Sequence, residues 1–510
     1  MPEYLKALTV ILGITISMFV VFRPVFINCI PTADFNRRRS LWLFLTICLF
    51  LSHSFWIYII VCGFAIPILS LTERNKVAAF FFLLFAIPPV SEAIPGFGIV
   101  KFLFAIDYIR LLTLVLFLPM LFDKSTSVGS VSFPQTWADK CLLAYLFLII
   151  VLLGAVTSTT DLARNIFNVF MDIFLPYYAA SRTLKSTTRF RDALSSFVVA
   201  AAIMAPVGLF ETMRSWALYT SLAGVLDIKS GFFGYLLRDG GLRATASAGH
   251  AIVLGYVFVI ASGFCLYIRH FTPSKRLANL LFLLLLAGLI APLSRGPWLG
   301  AFALFGGFVI TGKYSYKQIT LFVISTLCLT GAVSISPYAN KVVSMIPFVG
   351  HVDDFNVSYR QLLLENCITL LKSYPFFGVP NVLGTSEMQA MKQGQGIIDI
   401  VNTYVGVALG SGLIGLSLFL GVFLSVGIGI VKSLRLTRVL HPELHLLGRV
   451  ILAVLGSILL MIGTVSSIFT VPTIYWMVAG MGVAYLDLVR RTLAAGIETF
   501  SQTQIASRAT

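Results

Sequence analysis

Long apolar runs, separated by short polar segments, follow one another along nearly the whole chain. Apolar residues fill each run without the strict alternation of a strand in a lipid-facing barrel. Backbone groups in a bilayer must be hydrogen-bonded within the protein, which leaves helices as the structure for such runs. The pattern predicts an all-α polytopic integral membrane protein with about 13–15 transmembrane or re-entrant helices. The runs lie near residues 7–22, 41–52, 55–71, 77–90, 102–121, 141–157, 166–181, 193–210, 250–268, 278–293, 297–311, 318–335, 402–431, 450–468 and 472–489.

The amino-acid composition agrees with this pattern. Hydrophobic residues make up 58% of the 510 residues and charged residues only 11%, and the mean hydropathy is +0.93. A water-soluble protein has too little interior for so much apolar surface, so the bilayer must be the solvent. No repeat or low-complexity linker divides the chain, and residues 1–510 are therefore predicted to form a single integral membrane domain.

The excess of positive charge, +16 overall, indicates topology rather than a nucleic-acid partner. Most basic residues lie in alternate short loops, which marks those loops as cytoplasmic. The opposite, outer side then holds a large loop at residues 337–399, and within it residues 357–374 are predicted to form an amphipathic helix. The apolar positions that share one face of this helix are Leu363, Leu364, Cys367, Leu370 and Leu371.

Several polar or small residues inside the runs have structural interpretations. The seven cysteines are scattered without a CxxC pair, so neither a metal site nor a disulfide is expected. The segment "GSGLIG" (410–415) lies in a predicted span, where it is expected to serve close helix packing. Asp107 and Arg110 are three residues apart and are expected to neutralise each other. Asp172 stays open, either as the partner of an outer arginine or as a hydrogen-bonding residue of the bundle.

The outer side gathers the polar residues that could carry chemistry. Arginine has a permanent charge and a planar fork of donors, so two or three arginines around one cavity would hold a diphosphate without a metal. Simpler roles stay open, because Arg295 could anchor a turn, Arg360 could be solvated and Asp399 could cap a helix. The candidates are Arg295, Arg360, Asp399, Arg243, His250, Asn402, Glu211, Arg214 and Tyr404.

The order of the motifs resembles that of a known superfamily. The motif "SRGPWLG" opens a span, and the outer loop that follows contains "YRQLLLENCITLLKSYPFFGVP". The motif "DIVNTYVGVALGSGLIGL" then opens the next span. This order is similar to that of the O-antigen polymerase and ligase superfamily, which includes the Wzy-type polysaccharide polymerases. The upstream segments "LRATASAGHAIVLGY" and "EAIPGFGIVKFLFAIDYIRLL" also resemble members that polymerise exported polysaccharides.

The resemblance implies a GT-C-like, metal-independent glycosyltransferase of the bacterial inner membrane that needs no cofactor and whose active site faces the periplasm. Its substrates would be glycans on undecaprenyl diphosphate. The family's paired arginines match Arg295 and Arg360, which would hold the diphosphate leaving group. The ligase branch has a His-Asn pair where this chain has Val401-Asn402, so a lipopolysaccharide core ligase is disfavoured. Asp399 is then the nearest carboxylate and the candidate base.

Three functions compete at this point. The first is a polymerase of lipid-linked repeat units, and the second is a ligase that transfers a finished glycan to another acceptor. The third is a transporter of lipid-linked oligosaccharides, which would usually show two related halves that this sequence lacks. The expected partners are the lipid-linked donor and acceptor, membrane lipid and a protein that regulates chain length. When no substrate is bound, Asp172 or Glu211 is expected to compensate the charge of Arg295.

Overall fold

The structure, a computed structural model, describes residues 1–98, 101–123, 132–228, 234–238, 240–312, 320, 354–392, 398 and 400–509. In the first part of the chain the elements are α1 (Glu3–Val21), α2 (Arg23–Phe26), α3 (Thr32–Leu51), α4 (Phe55–Ser70), α5 (Lys76–Leu83), β1 (Ser91–Pro95), β2 (Phe102–Asp107), α6 (Tyr108–Phe122), α7 (Trp137–Gly154), α8 (Thr159–Val169), a π-helical turn (Phe170–Phe174), α9 (Leu175–Thr183) and α10 (Thr187–Arg214).

The second part continues with α11 (Leu222–Val225), β3 (Leu237–Arg238), β4 (Gly241–Leu242), a 3₁₀ turn (Ala246–Ala248), α12 (Ala251–Ile268), α13 (Lys275–Gly288), α14 (Arg295–Ile310), α15 (Asp354–Ser373), a 3₁₀ turn (Val382–Gly384), α16 (Ser386–Gln389), α17 (Thr403–Leu440), α18 (Pro442–Ile462) and α19 (Val471–Ala509). The strands form two small antiparallel hairpins, β1 with β2 and β3 with β4.

The predicted fold class is confirmed: this is an all-α polytopic membrane protein. Within the described residues, seven helices are long and apolar enough to cross a membrane, namely α1, α7, α10, α12, α17, α18 and the first part of α19. Three shorter apolar helices add to them, at Phe55–Ile68, Tyr108–Phe122 and Arg295–Ile310. The predicted run at 318–335 lies outside the described residues except for residue 320.

The helix starts follow local capping chemistry. Ser186 accepts a hydrogen bond from the backbone of the first turn of α10, and Ser274 does the same for α13. At α7, Thr136 and Asp139 form a reciprocal capping box. Such side chains pair backbone N–H groups that the first turn of a helix leaves without partners, so they fix where each helix begins.

The helices differ strongly in how much of their surface is buried inside the protein. The apolar windows of α10 and α12 are 83% and 89% buried, whereas those of α1 and α7 are only 28% buried. A helix that is apolar all round and almost fully enclosed must lie at the centre of the bundle, and one that is mostly exposed faces lipid. The residues at the ends of α10 and α12 are therefore held by the centre of the bundle.

Two apolar runs have a different structure from the predicted spans. The run at 102–121 is divided at Asp107, whose extended backbone ends β2 and whose carboxylate caps α6. The run at 77–90 contains only the short α5, which ends at Leu83, and the Pro88-Pro89 pair further along disfavours more helix. Since α5 is buried on all sides, its apolar residues are used in the core of the bundle and not against lipid.

Asp107 and Arg110 form the predicted ion pair only at the limit of contact distance, and Asp172 is the closer partner of Arg110. The Oδ1 atom of Asp107 accepts the backbone N–H of Arg110 at 2.7 Å, and the nearest contact between the two charged groups is 4.0 Å. The guanidinium instead binds both carboxylate oxygens of Asp172, with Nη2 to Oδ2 at 2.8 Å and Nε to Oδ1 at 3.1 Å. The role of Asp107 as a helix cap explains the difference, because it turns the carboxylate towards the backbone.

Candidate functional site

Three helices begin beside one short turn, residues 463–470, which joins α18 to α19. A Cβ added to Gly296 in α14 would lie 2.8 Å from the hydroxyl of Thr464. The hydroxyl of Thr403 in α17 donates to a backbone carbonyl of the turn at 2.8 Å. The ring of His250, at the start of α12, lies 6.4 Å from an aromatic ring of the turn. We call this end of the bundle, where α12, α14 and α17 begin, the arginine end.

The N-termini at the arginine end favour an anion, since each carries a partial positive charge and N–H groups without helical partners. Two of these termini are capped by side chains. The Nδ1 atom of His250 accepts the N–H of Ile252 at 3.2 Å, and Oδ1 of Asn402 accepts that of Tyr404 at 2.9 Å. The side chain of Ser294 makes no such bond at α14. The N-terminus of α14 is therefore the one of these three without a side-chain cap, and Arg295 is its first residue.

Two further arginines lie against the turn that precedes Arg295. Arg243 donates from Nε to the carbonyl oxygen of Pro292 at 3.2 Å, and Arg238 donates from Nη1 to that of Leu293 at 2.9 Å. Leu293 has a φ of 48°, a left-handed conformation that costs energy for a side chain of this kind. The contacts of Arg238 and Arg243 thus hold a strained turn, and this turn leads directly into Arg295.

The electrostatics of these arginines fit a site for an anion. Arg238, Arg243 and Arg295 are all half-buried. Burial, and secondarily the like charge of Arg238, lowers the pKa of Arg243 to about 10. A lowered pKa means that the protonated guanidinium is destabilised where it stands. A bound anion would reverse this, because a nearby negative charge stabilises the protonated form.

Glu211 is bound to the backbone of the loops around the arginine end. Its side chain is fully buried, and Oε2 accepts the N–H groups of Thr245 at 3.0 Å and of Ala246 at 2.8 Å. Oε1 accepts the N–H of Leu218 at 3.0 Å. These contacts tie the end of α10 to the segment that carries Arg243. The two carboxylates expected to compensate Arg295 are thus engaged elsewhere, Glu211 with backbone and Asp172 with Arg110.

Replacing Glu211 by alanine is expected to lower the stability of the protein by about 3 kcal/mol or more, since a buried donor left unpaired costs about 1–3 kcal/mol. The measurement is thermal unfolding of the purified protein in detergent. Glu211→Gln keeps one acceptor oxygen, so its melting temperature should lie between those of the wild type and Glu211→Ala. Arg214→Ala changes an exposed residue of the same helix, so its melting temperature should equal that of the wild type. An unchanged melting temperature for Glu211→Ala would contradict a scaffold role.

The remaining predicted site residues lie in different surroundings. Arg214 is exposed at the end of α10. The hydroxyl of Tyr404 donates to the carbonyl of Leu459 at 2.6 Å, so it is used inside the bundle. Arg360 lies in α15. Asp399, the predicted base, lies outside the described residues. The structure thus brings Arg243, Arg295, His250 and Asn402 to one end of the bundle, while Arg238 was missed by the sequence analysis.

The helix α15 forms part of a second, smaller apolar cluster. Leu363, Cys367 and Leu370 are buried there against Leu409 of α17. This contact confirms the predicted amphipathic helix, whose apolar face packs on the helix that begins at the arginine end. One predicted position differs, because Leu364 is 51% exposed. Four apolar positions are enough to form the buried stripe of this helix, and the fifth lies at its edge.

A break in α17 was also missed by the sequence analysis. Gly412 has φ 67° and ψ −172°, a conformation that interrupts the helix. The break leaves backbone N–H and carbonyl groups without helical partners, and these groups bind the segment after α15. The N–H of Val379 donates to the carbonyl of Leu409 at 2.6 Å, and the N–H of Leu413 donates to that of Pro375 at 2.9 Å. Gly412 of "GSGLIG" therefore serves the docking of a loop, residues 375–379, and not the packing of helices alone.

One family model matches the chain. The model described as O-antigen ligase matches residues 280–420, a stretch that runs from α13 to the first part of α17 and includes α14, α15 and the broken helix. The match confirms the resemblance to the O-antigen polymerase and ligase superfamily that the motifs predicted. It contains Arg295 and Asn402 but not Arg238 or Arg243. No curated protein matches the chain.

Proposed function

From the O-antigen ligase match over residues 280–420, we propose that this membrane protein is a polymerase. It joins oligosaccharide repeat units carried on undecaprenyl diphosphate into a polysaccharide at the periplasmic face of the bacterial inner membrane. The product would be an O-antigen, a capsule or an exopolysaccharide. The observation that carries the proposal is the place of Arg295, which begins an uncapped helix within the matched stretch and beside two further arginines.

The reaction follows from this electropositive arrangement. An acceptor hydroxyl attacks the anomeric carbon of the donor, a new glycosidic C–O bond forms, and the bond from that carbon to the diphosphate oxygen breaks. Negative charge builds on the leaving diphosphate, and fixed guanidinium groups and helix N–H groups stabilise it in place of a metal ion. In this proposal Arg295 and Arg360 contact the diphosphate, while Arg243 adds positive charge close by.

The proton of the acceptor hydroxyl must go to a base. Asp399 is the proposed base, since it precedes α17 closely and a carboxylate within hydrogen-bond reach can accept that proton. His250 is less suited, because its Nδ1 already accepts a backbone N–H group. The side-chain oxygen of Asn402 is likewise engaged as a helix cap. Glu211 is engaged by three backbone groups and is a scaffold residue in this mechanism.

A ligase is the second candidate, favoured by the description of the matching family. The polymerase is preferred because this chain has Val401 at the position that matches the histidine of the ligase branch. A valine cannot take a proton from an acceptor. The two functions share the donor and the diphosphate leaving group, and they differ only in the acceptor.

Product analysis with the purified protein separates these functions. The protein is reconstituted in liposomes with a lipid-diphosphate-linked repeat unit from its own organism, and glycan length is read on a gel. We expect a ladder of products that differ by one repeat unit, without added metal. Transfer of glycan to another lipid or protein acceptor, with no ladder, would instead establish a ligase. Movement of unchanged lipid-linked glycan across the bilayer would establish a transporter.

A further inference from the structure

One cavity of the protein is lined by none of the three arginines. Its volume is about 510 Å³, within the range of about 300–1,000 Å³ that is usual for small-molecule sites. Its walls come from β2, from α8 and the loop before it, and from the loop after α15. The side chains that define it are Phe102, Phe104, Arg164, Asn165, Asn168 and Asn381.

Three carboxamides give this cavity its polar character. Asn165 and Asn168 are three residues apart on α8, a spacing that puts both on one face of the helix, and Asn381 comes from a different part of the chain. The Oδ1 atom of Asn168 is buried and has no hydrogen-bond partner within the described part of the chain. A buried acceptor without a donor is costly, so turning this carboxamide towards a ligand hydroxyl in the cavity would be favoured.

The charged residues of the cavity are already paired with the protein. Arg164 donates from Nε to the carbonyl of Leu103 at 2.8 Å, and it also binds the carbonyl of Phe102 and the carboxylate of Asp161. Its guanidinium carbon lies 3.8 Å from the centre of the Phe102 ring. Hydrogen bonds from Ser158 and from Arg164 lower the pKa of Asp161, so this ion pair persists at neutral pH. The cavity therefore suits a neutral ligand better than a phosphate.

Aromatic rings complete the wall. The rings of Phe104 and Phe167 lie 4.4 Å apart at an angle of 32°, which fixes one side of the cavity. Rigid aromatic surfaces with a few placed amides offer both the apolar contact and the paired donors and acceptors that a sugar ring requires. A lipid chain would leave the amides unpaired, and a free anion would find no unpaired cation here.

A covalent path links the cavity to the arginine end. Asn381 follows Val379 by two residues, and Val379 is bound to Leu409 at the break in α17. The same short segment thus docks on the helix that begins at the arginine end and supplies one wall of the cavity. A glycan whose terminal sugar reacts near Arg295 would extend beyond that point and need a second surface.

We propose that this cavity binds neutral sugar units of the glycan at positions away from the reacting bond. The proposal rests on the proposed function, since it takes the lipid-linked glycan as the substrate. The amides of Asn165, Asn168 and Asn381 hydrogen-bond the sugar hydroxyls, and Phe102 and Phe104 contact the sugar faces. Binding here would hold the growing chain between successive additions.

The test measures binding of a lipid-free oligosaccharide of one to three repeat units, released from the organism's own polysaccharide. Wild-type protein in nanodiscs is titrated by isothermal calorimetry. Replacing both Asn165 and Asn168 by alanine is expected to raise Kd about tenfold or more, because each lost hydrogen bond contributes about 1 kcal/mol. Ile166→Ala is the matched control, since Ile166 is exposed on the same helix and does not line the cavity.

Two outcomes overturn the sugar site: wild-type protein that binds no oligosaccharide, or a doubly substituted protein that binds as well as the wild type. If the double variant does not fold, Asn381→Ala replaces it, because Asn381 lies in an exposed loop and should also weaken binding. Arg295→Ala separates this inference from the proposed function, since it should bind the oligosaccharide normally. Normal sugar binding together with normal polymerisation by Arg295→Ala would overturn the role of Arg295 alone. Wild-type protein that binds the oligosaccharide but forms no ladder of products would overturn the proposed function and leave the sugar site standing.

Discussion

Arg295→Ala is expected to reduce polymer formation by about 10²–10³-fold, the loss typical of removing one group that stabilises charge in the transition state. Arg295 begins α14, whose N-terminus has no side-chain cap. Its charge and the positive end of the helix therefore act on the same anion. The measurement is the rate at which the reconstituted protein extends the lipid-linked repeat unit.

Two variants control this experiment. Arg295→Lys keeps the charge but loses the planar fork of donors, so we expect partial activity. Arg435→Ala removes an exposed arginine near the other end of α17 and should polymerise like the wild type. Equal polymer length and yield for Arg295→Ala and Arg435→Ala, at equal protein levels, would show that Arg295 does not hold the leaving group.

The fold could be predicted because the bilayer makes hydrophobicity the dominant signal. The predicted run at 250–268 corresponds to α12 (Ala251–Ile268), and the predicted run at 297–311 corresponds to α14 (Arg295–Ile310). The limits of such a prediction are visible at Asp107. One capping residue divides an apolar run into a strand and a helix, and hydrophobicity alone does not distinguish the two elements in lipid-like sequence.

The site was predictable where a motif marks a helix start, as for Arg295, and not where contacts join distant segments. Arg238 contacts the carbonyl of Leu293, which is 55 residues away in the sequence, and no local sequence pattern predicts that contact. Glu211 was predicted to contact substrate because it is one of the polar residues gathered on the outer side. Its carboxylate binds three backbone N–H groups, and these contacts depend on where two loops return in space.

The break in α17 had a partial signal in the sequence. Two glycines two residues apart in an apolar helix, following a loop that contains "PFFGVP", are compatible with a docked loop. They are equally compatible with close packing of helices, which is the commoner arrangement in membranes. Only the positive φ of Gly412 and of Gly378 decides between the two, and backbone angles are not encoded by hydrophobicity.

Gly412→Ala is expected to be among the most damaging single substitutions. A φ of 67° with a ψ of −172° is a conformation open to glycine almost alone. A Cβ at this position would also lie 2.0 Å from the carbonyl oxygen of Phe376. The docked segment 375–379 would have to leave the break, and we expect a loss of about 3 kcal/mol or more. Polymerisation should fail as well, because the same helix carries Asn402 and begins at the arginine end.

Hydrogen exchange of the purified protein measures directly whether the segment 375–379 stays docked at the break. The amides of Leu413 and Ile414 donate to the carbonyls of Pro375 and Phe376, so Gly412→Ala should expose both amides to exchange. Gly410→Ala is the matched control, since a Cβ at Gly410 would meet nothing within 4 Å and alanine favours the helix by about 1 kcal/mol. Protection at Leu413 that survives in Gly412→Ala would show that the loop does not depend on this glycine. If both variants lose protection at these amides, the loss comes from a change in the helix and not from release of the docked loop.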